Sequence, residues 1–274
     1  MERIYIHKFS ENKNDENSPN HFCAKNNDEK ITEINVVSKS NNKIVKQIKL
    51  NKSNIPTNFI LSNINLIPIN DQGNLGSCVA NAFNWSIKYQ NNNFSISRLY
   101  LYDLCRWFDG DSMTQDNGTY VSTPCNISQF GYLSEIFVPY NVNNFSKLIP
   151  VNSLKNIKTF KIFSFNSINQ DLISIKTYLT TIKCPIIFGI NVYTSFESQT
   201  VANTGFVPMP NTTTEELLGG HCIQIVGFND NNSCFTCINS WGAGWGDKGK
   251  FYLPYNYVLD PNLSGDFYGV IIKI

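Results

Sequence analysis

An α+β protein of two lobes is predicted by the order of two periodicities along this 274-residue chain. Apolar residues recur at helical spacing between 78 and about 131, and strand-like apolar runs take over after about 155. Helices first and an antiparallel sheet afterwards leave a cleft between the lobes as the natural place for a site. A third observation marks where that cleft matters. The Gly-punctuated stretch Asp71-Gln72-Gly73-Asn74-Leu75-Gly76-Ser77-Cys78 runs straight into a helix.

Residues 1–53 form an N-terminal extension, set apart from a domain over 54–274. Glu11 to Lys30 is rich in Asn, Asp and Lys with few apolar anchors, which reads as loop or tail. Ile31 to Val37 and Lys43 to Leu50 alternate apolar and polar residues, predicting two strands paired around Ser40-Asn41-Asn42. Such a segment suits a propeptide, a regulatory flap or a plain arm.

The helical lobe covers about 54–155. Ile55-Pro56 to Ile69 is extended and leads into the Gln72 loop. Val79, Ala80, Ala82, Phe83, Trp85 and Ile87 give a helix over 78–90, ended by the polar run Gln90 to Asn93. A second helix starts near Ser97, because Arg98 to Phe108 carries a broad apolar stripe, and Asp109-Gly110-Asp111 stops it. Gly118 lies in an Asp-Asn-Gly-Thr turn, a third helical piece covers Ser122 to Gly131, and Ser134 to Tyr140 leads out through Pro139. The β lobe covers about 156–274. Lys158 to Phe165 alternates, and Ile168 to Ile182 is one more helix. Strands follow at Pro185–Val192, His221–Phe228, Phe235–Ser240, Gly249–Leu253 and Phe267–Ile272.

Composition narrows the function classes. A hydrophobic share of 42% with 16% charged residues describes a globular chain with ample core. A net charge of +1 makes no case for nucleic acid or an anionic membrane as partner. Asn runs such as Asn91-Asn92-Asn93 read as coding bias, which makes Asn84-Trp85-Ser86 poor evidence of glycosylation. No apolar run approaches a membrane span, and Met1 to Lys8 has no signal-peptide core. The expected location is the cytoplasm or another reducing compartment (the virion, were the source viral), with the eight cysteines kept as thiols. Cys234-x-x-Cys237 is half a zinc site with no second pair, on a strand that turns i and i+3 to opposite faces. Neither a metal nor another cofactor is expected.

Cys78 sits where a helix dipole favours thiolate over thiol, and the glycines before it let backbone N–H groups approach the sulfur. Gln72, six residues earlier, adds a side-chain amide donor, so the stretch resembles half of a nucleophilic site with an oxyanion hole. The plainer reading is a buried structural cysteine. A thiolate needs a base. His7 and His21 lie in the N-terminal segment, whereas His221 opens an apolar strand after Gly219-Gly220, at an edge that can aim its ring into the cleft. A lone His is more often structural than catalytic. Asn239, inside an apolar strand, needs a partner, and its side-chain oxygen can hold an imidazole N–H. Trp241-Gly242-Ala243-Gly244-Trp245-Gly246 follows, supplying indoles to keep water off that bond. A Gly-rich hairpin explains the glycines but not Cys, His and Asn together.

The segments Asp71-Gln72-Gly73, Gly76-Ser77-Cys78, Gly219-Gly220-His221 and Asn239-Ser240-Trp241-Gly242-Ala243-Gly244-Trp245-Gly246 resemble those of the papain-like cysteine peptidases, over roughly 54–274. Weaker matches are Ser97-Arg98-Leu99-Tyr100, Asn117-Gly118-Thr119 and Gly205 to Pro210. His221 follows Cys78 by 143 residues (221 − 78) and Asn239 by 161 (239 − 78). Papain and cathepsin sequences place these partners about 130–150 residues on, so the His fits and the Asn overshoots slightly.

The resemblance implies an α+β papain-like two-lobe fold, with a helical N-terminal lobe and an antiparallel β-barrel-like C-terminal lobe around the cleft. It implies a cysteine-type endopeptidase, expected as a monomer, hydrolysing polypeptide substrates. Cys78 is then the nucleophile, His221 the base and later the acid, Asn239 the orienter of His221, and Gln72 with the Cys78 N–H the oxyanion hole. Gly118 binds the substrate backbone. Thr119, Gly220 and Cys222 line the subsite for the residue second before the scissile bond, and Trp241 shields the site. No charged or His-bearing insert of an exopeptidase is evident.

Two departures resemble a disulfide-poor branch found in bacteria, archaea and large DNA viruses. Leu75 stands where secreted members carry a cysteine bridged to the stretch before Gly118, so packing alone must hold the loop; Val79 replaces the usual Trp. Residues 1–53 lack the long helical propeptide pattern of lysosomal cathepsins, which leaves an inhibitory N-terminal segment, and hence a latent zymogen, as one expectation among several. The competing readings are a catalytically silent papain-fold module that binds peptides or a partner, and transglutaminase-type acyl transfer, whose site usually ends in Asp.

Overall fold

A computed structural model of the chain describes residues 55–127, 131–147 and 164–272, with the backbone of three further strands at 7–8, 32–38 and 43–50. Those strands are β1 (His7–Lys8), β2 (Thr32–Ser38) and β3 (Lys43–Leu50), and β2 pairs antiparallel with β3 as the alternating pattern predicts. After β4 (Asn58–Ile60) come α1 (Cys78–Gln90), α2 (Arg98–Phe108), β5 (Thr119–Tyr120) and α3 (Thr123–Asn126). The second half holds β6 (Ser164–Ser167), α4 (Leu172–Thr181), β7 (Ile186–Tyr193), α5 (Gln199–Thr204) and β8 (Leu217–Asn229). It ends with β9 (Cys234–Ile238), β10 (Lys250–Pro254), α6 (Tyr255–Leu259) and β11 (Ser264–Ile271).

Most long elements lie where the sequence places them, but β8 starts at Leu217, so His221 lies inside it and does not open it, β9 ends at Ile238, one residue before Asn239, and the short elements shrink. The third helix spans one turn from Thr123, and residues 128–130 of the expected piece lie outside the described residues. Most of the Lys158–Phe165 run also lies outside them, with a strand starting at Ser164. Helix α4 is capped by Asp171, whose carboxylate accepts from Ser174 N at 2.8 Å, so it begins four residues later than its apolar run suggests.

The large sheet is antiparallel throughout, in the order β10-β9-β8-β7-β11-β6-β2-β3, with β4 paired to β8. It is open: β10 and β3 are its two ends among the described strands, so the lobe expected to be barrel-like is a curled sheet without closure. The central strands are apolar on both faces because each face covers a core. Ile186, Phe188 and Ile223 join the larger core with Trp241, Trp245 and Phe251, whereas Ile187, Cys222 and Val270 point the other way, into the core of α1 and α2. Helix α1 is buried from Cys78 to Ile87, with Phe83 in one core and Trp85 in the other. Helix α1 therefore bridges the seam between the two cores, with its first turn in the smaller one.

The Trp-bearing turn before β10 uses glycines at positive φ, among them Gly246. Gly246 has φ +63, and a Cβ there would sit 2.4 Å from Lys250 O. Gly246→Ala is expected to cost about 2 kcal/mol, lowering Tm by about 4–8 °C for a domain of this size. Differential scanning calorimetry checks this, and an unchanged Tm refutes it.

Candidate active site

Cys78 opens α1, and the backbone N–H groups of Cys222 and Val79 favour the ionised form of its sulfur. The side chain is 1% exposed. Burial pushes its thiol up to about 12, with Asp116 adding to the rise. The N–H donors do pull the thiol down as the helix dipole requires, but desolvation of an anion outweighs them.

The loop before Cys78 is held by polar ties, another correction, since packing alone was expected. Tyr140 Oη donates to Gln72 O at 2.8 Å and shares a 2.5 Å hydrogen bond with Ser77 Oγ, so one phenol grips both ends of the loop. Asn81 Nδ2 reaches back to Ser77 O and Oγ, each at 3.0 Å. Gly76 N donates to Asp116 at 2.8 Å. On the other side Gln72 N donates to Ser240 O at 2.9 Å, Ser240 Oγ donates to Gln72 Oε1 at 2.6 Å, and Gly242 N donates to Asn70 O at 3.0 Å. The Gln72 loop is thus stitched to the segment that follows β9. Gln72 Nε2 donates to Leu75 O at 3.0 Å, which uses one of the two donors on an amide nitrogen.

His221 lies on β8 opposite Ile190, one residue before Cys222, whose N–H favours the ionised Cys78 sulfur. Its Nε2 is 2.8 Å from Asn239 Oδ1, an atom that also accepts from Ser240 N at 2.8 Å. Nε2–H therefore donates to the amide oxygen, and in a neutral imidazole the basic nitrogen is then Nδ1. Trp241 stacks on the imidazole (centroids 4.9 Å apart, 24° between planes) and meets Trp245 edge-on at 4.9 Å. Both His221 and Asn239 are buried. The indole shields their hydrogen bond from water, where competition would weaken it.

The remaining predicted residues divide. Cys222 is buried against the α1 core beside Cys78, and Gly220 pairs with Asn191 on the β7–β8 ladder. Trp241 is 7% exposed and covers His221. Gly118, at φ +71, donates its N–H to Tyr102 Oη at 3.0 Å. The strand edge beside it is Thr119–Tyr120, which pairs in parallel with His7–Lys8. Thr119 Oγ1 donates to Asp109, so its side chain is fixed inward. Sequence reading missed Tyr140, Asp116 and Ser240. Among the described residues no three His, Cys, Asp or Glu side chains are grouped to hold a metal ion. Cys237 of the C-x-x-C pair is in the core, while Cys234 bonds Asn232 O at its rim.

Comparisons with known proteins give the family and the fold. Residues 55–260 match the model of the papain family cysteine proteases. An uncharacterized peptidase C1-like protein of Acanthamoeba polyphaga mimivirus is 37% identical over 213 residues, 72% of this chain and 68% of that protein. Xylellain, a cysteine protease from Xylella fastidiosa, superposes with a TM-score of 0.72 at 26% identity, covering 83% of this chain and 91% of that one. A procathepsin B from Trypanosoma congolense shares the fold at 15% identity, with a TM-score of 0.62 over 83% of this chain and 82% of that one.

Proposed function

The chain belongs to the papain family of cysteine proteases, and from that premise we propose that it is an endopeptidase acting through Cys78, His221 and Asn239. The observation that carries the reading is the 2.8 Å His221–Asn239 hydrogen bond beneath Trp241, next to the residue whose N–H favours the ionised Cys78 sulfur. On binding a peptide, His221 Nδ1 takes the Cys78 proton and the thiolate attacks the carbonyl carbon. The second Gln72 Nε2 donor and the Cys78 N–H stabilise the oxyanion. His221 then gives its proton to the leaving amine, and water, deprotonated by the same ring, clears the acyl-enzyme.

The same site is proposed to rest in a latent state. Strand β1 covers the Thr119–Tyr120 edge that an extended peptide would use, and Cys78 is buried as a raised thiol. A cleft filled by its own chain is competent only in the fraction that is open, and one open molecule in ten slows turnover about tenfold. A chain starting at Ile55 is therefore expected to hydrolyse an end-blocked peptide at least about tenfold faster than the full chain, and to react faster with a peptidyl epoxide. Equal rates would remove the latency. Absence of labelling and hydrolysis in both, with both folded, would leave a silent binding module.

A further inference from the structure

We propose that Asp116 is a positioning residue, whose carboxylate fixes the Gly76–Cys78 backbone to the Gly118–Thr119 strand through the Tyr102 hydroxyl. The proposal deepens the protease reading and rests on it. Asp116 Oδ2 accepts from Gly76 N at 2.8 Å, and Oδ1 accepts from Tyr102 Oη. The same Tyr102 oxygen accepts from Gly118 N at 3.0 Å. Two N–H groups, two residues upstream of the thiol and at the head of the strand edge, thus converge on one acid–phenol pair. A charged acceptor makes the stronger kind of hydrogen bond and fixes direction as well as distance.

The contact leaves no slack. A Cβ on Gly76 would stand 2.9 Å from Asp116 Oδ1 and 3.4 Å from Tyr102 Oη, so the carboxylate lies flat on bare backbone. The acid is itself held from behind. Arg106, fully buried, donates to the carbonyls of Ser112, Met113 and Gln115, which sets the turn that delivers Asp116. The peptide between Ser77 and Cys78 carries the oxyanion N–H, and its direction follows from where Gly76 is tied. An error of about 1 Å there costs about 100-fold in rate.

The charge of the carboxylate also disfavours ionisation of the Cys78 sulfur. Asp116 therefore trades thiolate formation for geometry, and the two effects separate by experiment. The groups around Cys78 and Asp116 are His221 and Cys222 on β8, Tyr102, Arg98 and Arg106 on α2, and Tyr140. All of them are kept in Asp116→Asn. That variant preserves shape but sets an amide NH₂ against the Gly76 N–H or the Tyr102 hydroxyl proton. Tyr102→Phe breaks the tie while keeping the charge.

In the full-length chain, kcat for an end-blocked peptide amide is expected to fall about 10–100-fold in both variants, with KM changed less than about threefold. The pH midpoint for alkylation of Cys78 by iodoacetamide is expected to move down in Asp116→Asn and to stay in Tyr102→Phe. Thermal unfolding shows that both variants are folded. An unmoved midpoint in Asp116→Asn, or a kcat within twofold of wild type in both variants, overturns the role of Asp116 alone. A wild-type chain that hydrolyses no peptide overturns the protease reading, and this role with it.

Discussion

Cys78→Ala is expected to lower kcat for an end-blocked peptide by at least about 10⁴-fold and to abolish labelling by a peptidyl epoxide. The size of the effect follows from what is removed. Without the sulfur no acyl-enzyme forms, and only binding and the oxyanion donors remain to help water attack. Unfolding cannot account for such a loss. The substitution deletes one buried atom from a helix whose neighbours Val79, Ala80 and Ala82 are fully packed, at a cost of about 1 kcal/mol. Calorimetry of the variant separates the two causes. Labelling that persists in Cys78→Ala would place the reactive thiol elsewhere, and Cys222, against the same core, would be the first residue to test.

What was legible in the sequence was what is local. Helix α1 follows from its own apolar run, and its boundaries agree with those expected, Cys78 to Gln90. Asn239 was legible because a buried polar side chain behind an apolar run must find a partner, and one residue past β9 it finds His221 at 2.8 Å. The ties that shape the loop before Cys78 were not legible. Tyr140 is 68 residues from Gln72 and 63 from Ser77, and Asp116 is 40 from Gly76. Partners so far apart leave no period or spacing to count. The burial of the thiol was not legible for a related reason. A helix N-terminus is written in the sequence, but burial of Cys78 depends on β8 and on everything packed around the seam. Short elements escape for lack of length: α5 and α6 have six and five residues, too few for a hydrophobic repeat.

His221→Ala is expected to lower kcat by about 10⁴-fold or more while leaving KM within a fewfold, and its second signature is the more telling. In wild type a protonated imidazole can pair with the thiolate and keep Cys78 reactive near neutral pH. Burial pushes the thiol up to about 12 against the pull of neighbouring backbone N–H groups, and removing the ring takes away the cation that such a pairing would supply. Alkylation of Cys78 should then wait for alkaline pH, so its midpoint moves up. Asp116→Asn is expected to move the same midpoint down, because it removes an anion that opposes ionisation. The two substitutions act on one sulfur from opposite sides, one from β8 and one from the turn before β5. General loosening of the site would wet the sulfur and shift both midpoints the same way. Opposite shifts, with both variants folded, require that each group acts through its charge at Cys78. An unchanged midpoint in His221→Ala, with kcat reduced less than tenfold, would remove His221 as the base.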